Sequence, residues 1–342
     1  MPKKIKYFKC PENRADIRVS TLTKIQEWAR SDELGSIVNV FGGEIPQTDN
    51  IKTLVDWLLE FSDIWDYREK QKKISGKKIA DLERWQTDSD DITNEQAEVV
   101  FRAIGTLGLI GVQHPMSNIY DYIIALGGAR LSCLLRPRYA SHIIDNVSQK
   151  PKAAVMLSGA RPISDAERET TDTYAPGAVS EFDLINRGAE LAFGLDNIYR
   201  EIRYDDKTNI NNSWALRTYK EEKTGLSIIS IAAPSTEPDK RRANSVDTYK
   251  FFFERYDVKP GERLLLVTNQ IYVPYQQLEA IRTLAIPYGV IVETVGLPNE
   301  WTNRTQVKRG ADKYLQEIRS TIQAMDRFLK QGRGGQEFCP IM

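Results

Sequence analysis

Histidine is nearly absent: 342 residues contain two, His114 and His142. That count excludes a histidine-built metal centre and leaves a Ser-His-Asp triad only these two residues to draw on. Cysteine is as scarce. Cys10, Cys133 and Cys339 are odd in number and far apart, which fits neither a disulfide framework nor the paired spacing of a zinc site, so three thiols and no metal are expected. Net charge is missing too. The 47 Lys and Arg balance 47 Asp and Glu, leaving no overall basic field to hold a nucleic-acid backbone or an anionic membrane. No stretch approaches the roughly 18 uninterrupted apolar residues of a membrane span, and the basic start MPKKIKYFKCPENR has no apolar segment behind it. The expectation is a cytoplasmic protein with neither nucleic acid nor membrane as partner.

What is present is a hydrophobic content of 41%, enough for a substantial core in one large domain or two ordinary ones. Residues 21–118 carry Trp, Leu, Glu and Lys at helical spacing in TLTKIQEWARSDEL, NIKTLVDWLLEFSDIWDYREKQKKI and TNEQAEVVFRAIGTLGLI, which predicts a helical N-terminal region over 1–118. Thr93 followed by Glu95 and Gln96 marks the start of the third helix. From about 119 the pattern becomes short aliphatic runs, YDYIIAL, AAVMLS, LSIISIAA, RLLLVTN and GVIVETVG, separated by amphipathic segments at 134–147, 179–194, 243–256 and 274–286. Such alternation predicts an α/β domain over 119–300 with a mostly parallel sheet and right-handed crossovers. Residues 303–331 read as a closing helix returning to the N-terminal helices, followed by a Gly-rich tail. The tail ends Cys339-Pro-Ile-Met, a C-a-a-X pattern.

Two strands end alike: DYIIALGGAR at 121–130 and KAAVMLSGAR at 152–161. In an open parallel sheet, ligands gather at the carboxyl ends of the strands. There Gly127, Gly128 and Gly159 allow close backbone approach, while Arg130 and Arg161 can present forks to a phosphate or carboxylate. The bland alternative is two turns, each with an arginine paired to a surface carboxylate. Neither segment is G-x-G-x-x-G or a Walker loop. Further polar residues follow at comparable places: Ser180-Glu181 opening one helix, Asn244-Ser245-Val246-Asp247 opening another, and Thr268-Asn269-Gln270 ending a strand. Helix capping alone accounts for Ser180, Asn244 and Ser245 equally well.

In order, these segments resemble the YdcF-like family, which includes the SanA and ElyC envelope proteins. The matching elements are Gly127-Gly128, Ser158-Gly159-Ala160, Ser180-Glu181-Phe182, Ser245-Val246-Asp247-Thr248 and Val267-Thr268-Asn269, with Arg138 at the place of the family's helix-opening arginine. Where the family has His and then Arg, this chain has Tyr272 and Tyr275. The resemblance spans about 120–295. It implies a three-layer Rossmann-like fold and a site for a small anionic or nucleotide-like molecule, S-adenosylmethionine or a nucleotide among the candidates.

Two functions are compatible with these residues. In the first, an enzyme performs group transfer or hydrolysis with Glu181 and Asp247 as acid/base groups, Arg130, Arg138 and Arg161 neutralising the ligand, and the Thr268-Asn269-Gln270 turn orienting it, with Ser158 and Tyr272 as further ligand-binding candidates. In the second, the same site is a non-catalytic ligand sensor or protein-interaction module, a reading favoured by the missing His and Arg. A ligand-free scaffold is the third and blandest possibility.

Overall fold

The computed structural model describes residues 7–67, 69–70, 91–111, 113–221, 225–298, 301 and 310–331. The end of the second expected helix over 71–74, the beginning of the closing helix over 303–309, and the tail with Cys339 lie outside the described residues. The chain forms two compact units. One comprises 1–111, 270–287 and 306–342, and the other 112–269 and 288–305.

The first unit is helical: α1 (Ile17–Ala29), α2 (Asp32–Val40), α3 (Ile51–Phe61) and α4 (Asn94–Ala103) are joined by two later helices. The single helix expected over TLTKIQEWARSDEL is two, because Ser31 leaves the helical path and caps α2 by accepting the Leu34 N–H. Asn50 caps α3, and Thr93 with Gln96 forms a full capping box on α4. The core of this unit is mostly aliphatic, with Trp28 and Trp65 fully buried in it. Trp57 stacks on Phe61 with centroids 5.1 Å apart, and Trp65 meets Phe61 and Phe41 edge-on.

The second unit holds a seven-stranded sheet. Its elements in chain order are β1 (Tyr122–Leu126), α5 (Ser132–Ile144), β2 (Ala153–Gly159), α6 (Asp165–Thr171), α7 (Glu181–Phe193), β3 (Arg200–Tyr204), β4 (Trp214–Lys220), β5 (Ser227–Ala233), α8 (Ser245–Phe253) and β6 (Arg263–Asn269). After α9 (Val273–Ala280), which belongs to the helical unit, β7 (Ile291–Leu297) completes the sheet, and α10 (Ala311–Gln331) closes the described chain. Strand order is β3-β4-β5-β2-β1-β6-β7, parallel from β5 through β7. The central strands are buried along nearly their whole length, as a sheet covered on both faces requires. Ile123, Ala125, Ala154 and Met156 point to one face, where Cys133, Leu135 and Tyr139 of α5 and Leu184 and Ile185 of α7 pack on them. Tyr122, one residue out of phase, points to the other and meets Phe252 of α8 edge-on at 5.6 Å. Helices on both faces of a mostly parallel sheet make this the expected three-layer Rossmann-like fold.

The structure departs from the sequence expectation in two further places. β3 and β4 add an antiparallel hairpin to one edge; β3 is solvent-exposed on both faces, so no apolar alternation announced it. Residues 270–287, expected within the α/β domain, group with the helical unit. Seven of the eight residues of α9 are buried, and Glu279 is bonded by Arg327 of α10 at 2.6 Å.

Candidate functional site

The strand order reverses direction beside β1: the chain passes from β1 to β2 and β5 on one side, then returns to β6 on the other. The ends of β1 and β6 therefore border the crevice in which open α/β sheets bind ligands. Gly127 and Gly128 lie at the end of β1. A Cβ on Gly127 would collide with Glu181 Oε1 and lie 2.9 Å from the Leu157 carbonyl oxygen; one on Gly128 would come within 3.0 Å of Arg136 Nη1. Both positions are closed to any side chain without displacement of a charged group.

Arg136 bridges the ends of β1 and β6. It is 3% exposed, its Nη1 donates to the carbonyl oxygens of Leu126 (2.7 Å) and Gly127, and its Nε donates to Asn269 Oδ1 at the end of β6 (3.1 Å). Arg138, the arginine expected at the site, makes none of these bonds. Arg138 is exposed and stacks on Trp301, 5.4 Å from the ring centroid. Helical phase distinguishes the two, since Cys133, Arg136 and Ala140 share the buried face of α5.

Around Arg136 lies an ionic network. Arg161 donates from Nε to Glu181 Oε2 (2.9 Å) and forks from Nη1 and Nη2 onto Glu167 (2.7 and 3.0 Å). Glu167 is fully buried and also accepts from the Ser164 N–H and hydroxyl and from the Arg130 N–H. Burial opposes its ionisation, but the Arg161 and Ser164 hydrogen bonds outweigh that and hold its carboxyl below the ordinary range. Arg130 Nη2 donates to Thr170 Oγ1, and the Tyr174 hydroxyl donates to the Arg130 carbonyl. These bonds hold Arg130 at φ 54°, the one positive φ outside glycine among the described residues. Cys133 donates from Sγ to the Gly128 carbonyl, and burial pushes its thiol up to about 12. It is therefore protonated at neutral pH and no nucleophile.

Glu181 is the exception among these carboxylates. Arg161 fixes Oε2, while no described hydrogen bond uses Oε1, which lies against Gly127; the side chain is 14% exposed. Arg136 and Arg161 thus place two guanidiniums beside the end of β1, together with the carboxylates of Glu167 and Glu181. Glu167 was not singled out from the sequence. Its signal was the capping box Ser164-x-x-Glu167.

The remaining residues expected at the site divide clearly. Ser158 is buried and donates to the Ile231 carbonyl at 3.0 Å, bracing β2 to β5. Gly159 has ordinary space, since a methyl added there would lie 3.6 Å from Ala243 Cβ. Ser180 and Asn244 are N-caps in capping boxes with Asp183 and Asp247, and Ser245 begins α8. Asn269 Nδ2 reaches Ser132 Oγ at 3.4 Å, and Thr268 is buried beside it in β6. Gln270 and Tyr272 belong to the helical unit instead. Gln270 Nε2 donates to the Gly108 carbonyl at 2.8 Å, and Tyr272 meets Tyr275 edge-on at 6.1 Å. Among the described residues no group of three or more His, Cys, Asp or Glu side chains could hold a metal ion.

The chain is 31% identical over 330 residues to the uncharacterized protein Rv3785 of Mycobacterium tuberculosis H37Rv, covering 92% of this chain and 91% of that one. The chain belongs to the Rv3785 family. The same identity and coverage relate it to the uncharacterized protein Mb3814 of Mycobacterium bovis. The Rv3785 N-terminal domain matches residues 12–108, the helices α1–α4 of the first unit. The Rv3785 relatives extend the match through the sheet unit as well, and no solved structure matches the chain.

In this member of the Rv3785 family Asp247 is occupied by structural bonds. It accepts from Thr236 N–H and hydroxyl, from Asn244 N–H and from Arg241. Burial opposes its charge, yet Arg241 and Thr236 outweigh it and hold the carboxyl below its ordinary range. Asp247→Ala should lower unfolding free energy by about 1–2 kcal/mol through loss of the cap and its partners, and leave any ligand affinity unchanged. Chemical denaturation with parallel binding measurements checks this, and a selective loss of binding would return Asp247 to the site.

Proposed function

We propose that the protein binds a small anionic, nucleotide-like ligand in the crevice over Gly127 and Gly128 and catalyses group transfer or hydrolysis there, with Glu181 as the acid/base group. The observation that carries this reading is the Glu181 carboxylate. One oxygen is clamped by a buried arginine and the other stands without a described donor beside a strand end too close for any side chain. A carboxylate so held can accept a proton from a water or a ligand hydroxyl without reorienting. The guanidiniums of Arg136 and Arg161 and the strained turn at Arg130 favour an anion at the same place. The proposal includes the resemblance to the YdcF-like family and a cytoplasmic setting. No helix among the described residues is long and apolar enough to cross a membrane.

A second reading, a ligand sensor without catalysis, is favoured by one observation. Asp247, the other family-matched carboxylate, is committed to capping α8, so Glu181 would act without it.

The test is a thermal-unfolding screen of the full chain against nucleotides and S-adenosyl compounds, where a ligand at 100 times its dissociation constant stabilises by about 2.7 kcal/mol. Glu181→Gln should keep stability within about 1 kcal/mol of wild type. It should lose conversion of the scoring compound, followed by mass spectrometry. Unchanged conversion would remove Glu181 from the chemistry. Binding without conversion in wild type would establish the sensor.

A further inference from the structure

The edge strand β3 reads Arg200-Glu201-Ile202-Arg203-Tyr204. One edge pairs antiparallel with β4, with Glu201 opposite Arg217 and Ile202 opposite Leu216. Among the described residues the other edge borders no strand, because β3 ends the sheet. Exposure here is unlike that of the neighbouring strands. Ile202 is 39% exposed, Tyr204 50%, and Tyr199 just before the strand 69%, whereas β7 at the opposite end of the sheet is buried for six of its seven residues. An edge strand with exposed apolar side chains is a template for pairing unless something prevents it.

Charge is the usual prevention, and here the order of the charges does the opposite. Laid antiparallel on a second copy of itself about Ile202, the strand puts Ile202 opposite Ile202, Glu201 opposite Arg203, and Arg200 opposite Tyr204. The two-fold axis repeats each unlike pair. Directly opposed residues project from the same face, so Glu201 and Arg203 of opposite copies form ion pairs, and Arg200 lies across from an aromatic ring. The groups are placed for it. Glu201 Oε2 is held by Arg217 at 2.6 Å, while its Oε1 has only the 3.7 Å approach of Arg203 from its own strand. Arg203 is half-exposed and bonded to Asp205, a loop residue that is itself 58% exposed. A shift by two residues in either direction along the strand destroys the complementarity.

We propose that this edge is the interface of a homodimer in which two β3 strands pair antiparallel about Ile202, joining the two sheets into one continuous sheet of fourteen strands. The juxtaposition of an uncovered strand edge with a self-complementary charge sequence points to a second copy of this chain. A single-sign or apolar peptide would not satisfy both Glu201 and Arg203. This surface is separate from the crevice at the ends of β1 and β6, and the inference does not depend on the function proposed for that crevice.

Sedimentation velocity of the full chain over a concentration series should show a monomer–dimer equilibrium. Arg203→Glu, which sets like charges opposite at both symmetric positions, should weaken it roughly tenfold or more. Thermal unfolding of the variant, followed by circular dichroism, confirms that it is folded. Register is tested by mild oxidation. Ile202→Cys should give a disulfide-linked dimer. Tyr204→Cys, whose symmetry mate lies about 14 Å away along the strand, should not exceed the wild-type background of the three native cysteines. A wild-type chain that sediments as a monomer up to its solubility limit would overturn the proposal. So would a dimer that Arg203→Glu leaves intact, or equal cross-linking at the two positions.

Discussion

Gly188→Ala is expected to destabilise the protein by about 3 kcal/mol, the upper end of what overpacking a well-filled core usually costs. Gly188 lies on the buried face of α7 where that helix crosses α5. An added methyl would fall inside the Cys133 carbonyl oxygen, 3.0 Å from the Cys133 carbonyl carbon and 3.2 Å from Leu134 Cα. All three are backbone atoms, so no rotamer change relieves the clash. The helices must move apart and loosen Leu184, Ile185 and Ala189 from the sheet. Gly35→Ala is the control. Gly35 sits inside α2 with nothing within 4 Å of the added atom, and the change should stabilise by up to about 1 kcal/mol. Denaturant unfolding followed by tryptophan fluorescence measures both, and equal effects of the two substitutions would refute the close helix crossing.

Arg161→Met is expected to cost about 3–5 kcal/mol, because it leaves the Glu167 carboxylate buried without its counter-charge. The pH dependence carries the sign. Glu167 has a folded pKa below its ordinary value, so its stabilising contribution is fully present above the usual carboxylate range of about 4.3 and is lost as pH falls through the folded value. With Met at 161 the remaining carboxylate prefers its proton, and acidification from neutral toward pH 4 should recover stability that wild type does not gain. Adding Glu167→Gln to the variant should restore part of the loss and remove that acid recovery. A loss under about 1 kcal/mol, independent of pH, would show Arg161 to be an ordinary surface residue.

That second result bears on what the sequence could reveal. The two Gly-Ala-Arg endings are at the carboxyl ends of β1 and β2, as expected, because glycine at the close of an aliphatic run marks a strand end wherever it falls. The use of their arginines was not legible. Arg161 spends its fork on Glu167 and Glu181, and only the fold brings 161, 167 and 181 together. Arg136 was not singled out, because motif order along the chain says nothing of helical phase, and Arg138, two residues on, turns to the far side of the helix. The capping residues Ser180 and Asn244 and the parallel strands were readable from local rules, since caps and buried aliphatic runs are local physics. The β3–β4 hairpin was not, because a strand exposed on both faces has no apolar period to betray it.

The central claim is that the glycine crevice at the end of β1 binds an anion. The measurement that addresses it most directly is thermal unfolding of wild type and Gly128→Ala with AMP, ATP and S-adenosylmethionine, and with adenosine as the uncharged control. A methyl added at 128 would lie 3.0 Å from Arg136 Nη1 and 3.1 Å from Ser132 Cβ, so it fills the close approach at the strand end and shifts Arg136. At least one of the anionic or carboxylate-bearing compounds should stabilise wild type by several degrees, adenosine should do so far less, and the shift should vanish in Gly128→Ala. No shift from any compound, or the same shift in both proteins, would contradict the account.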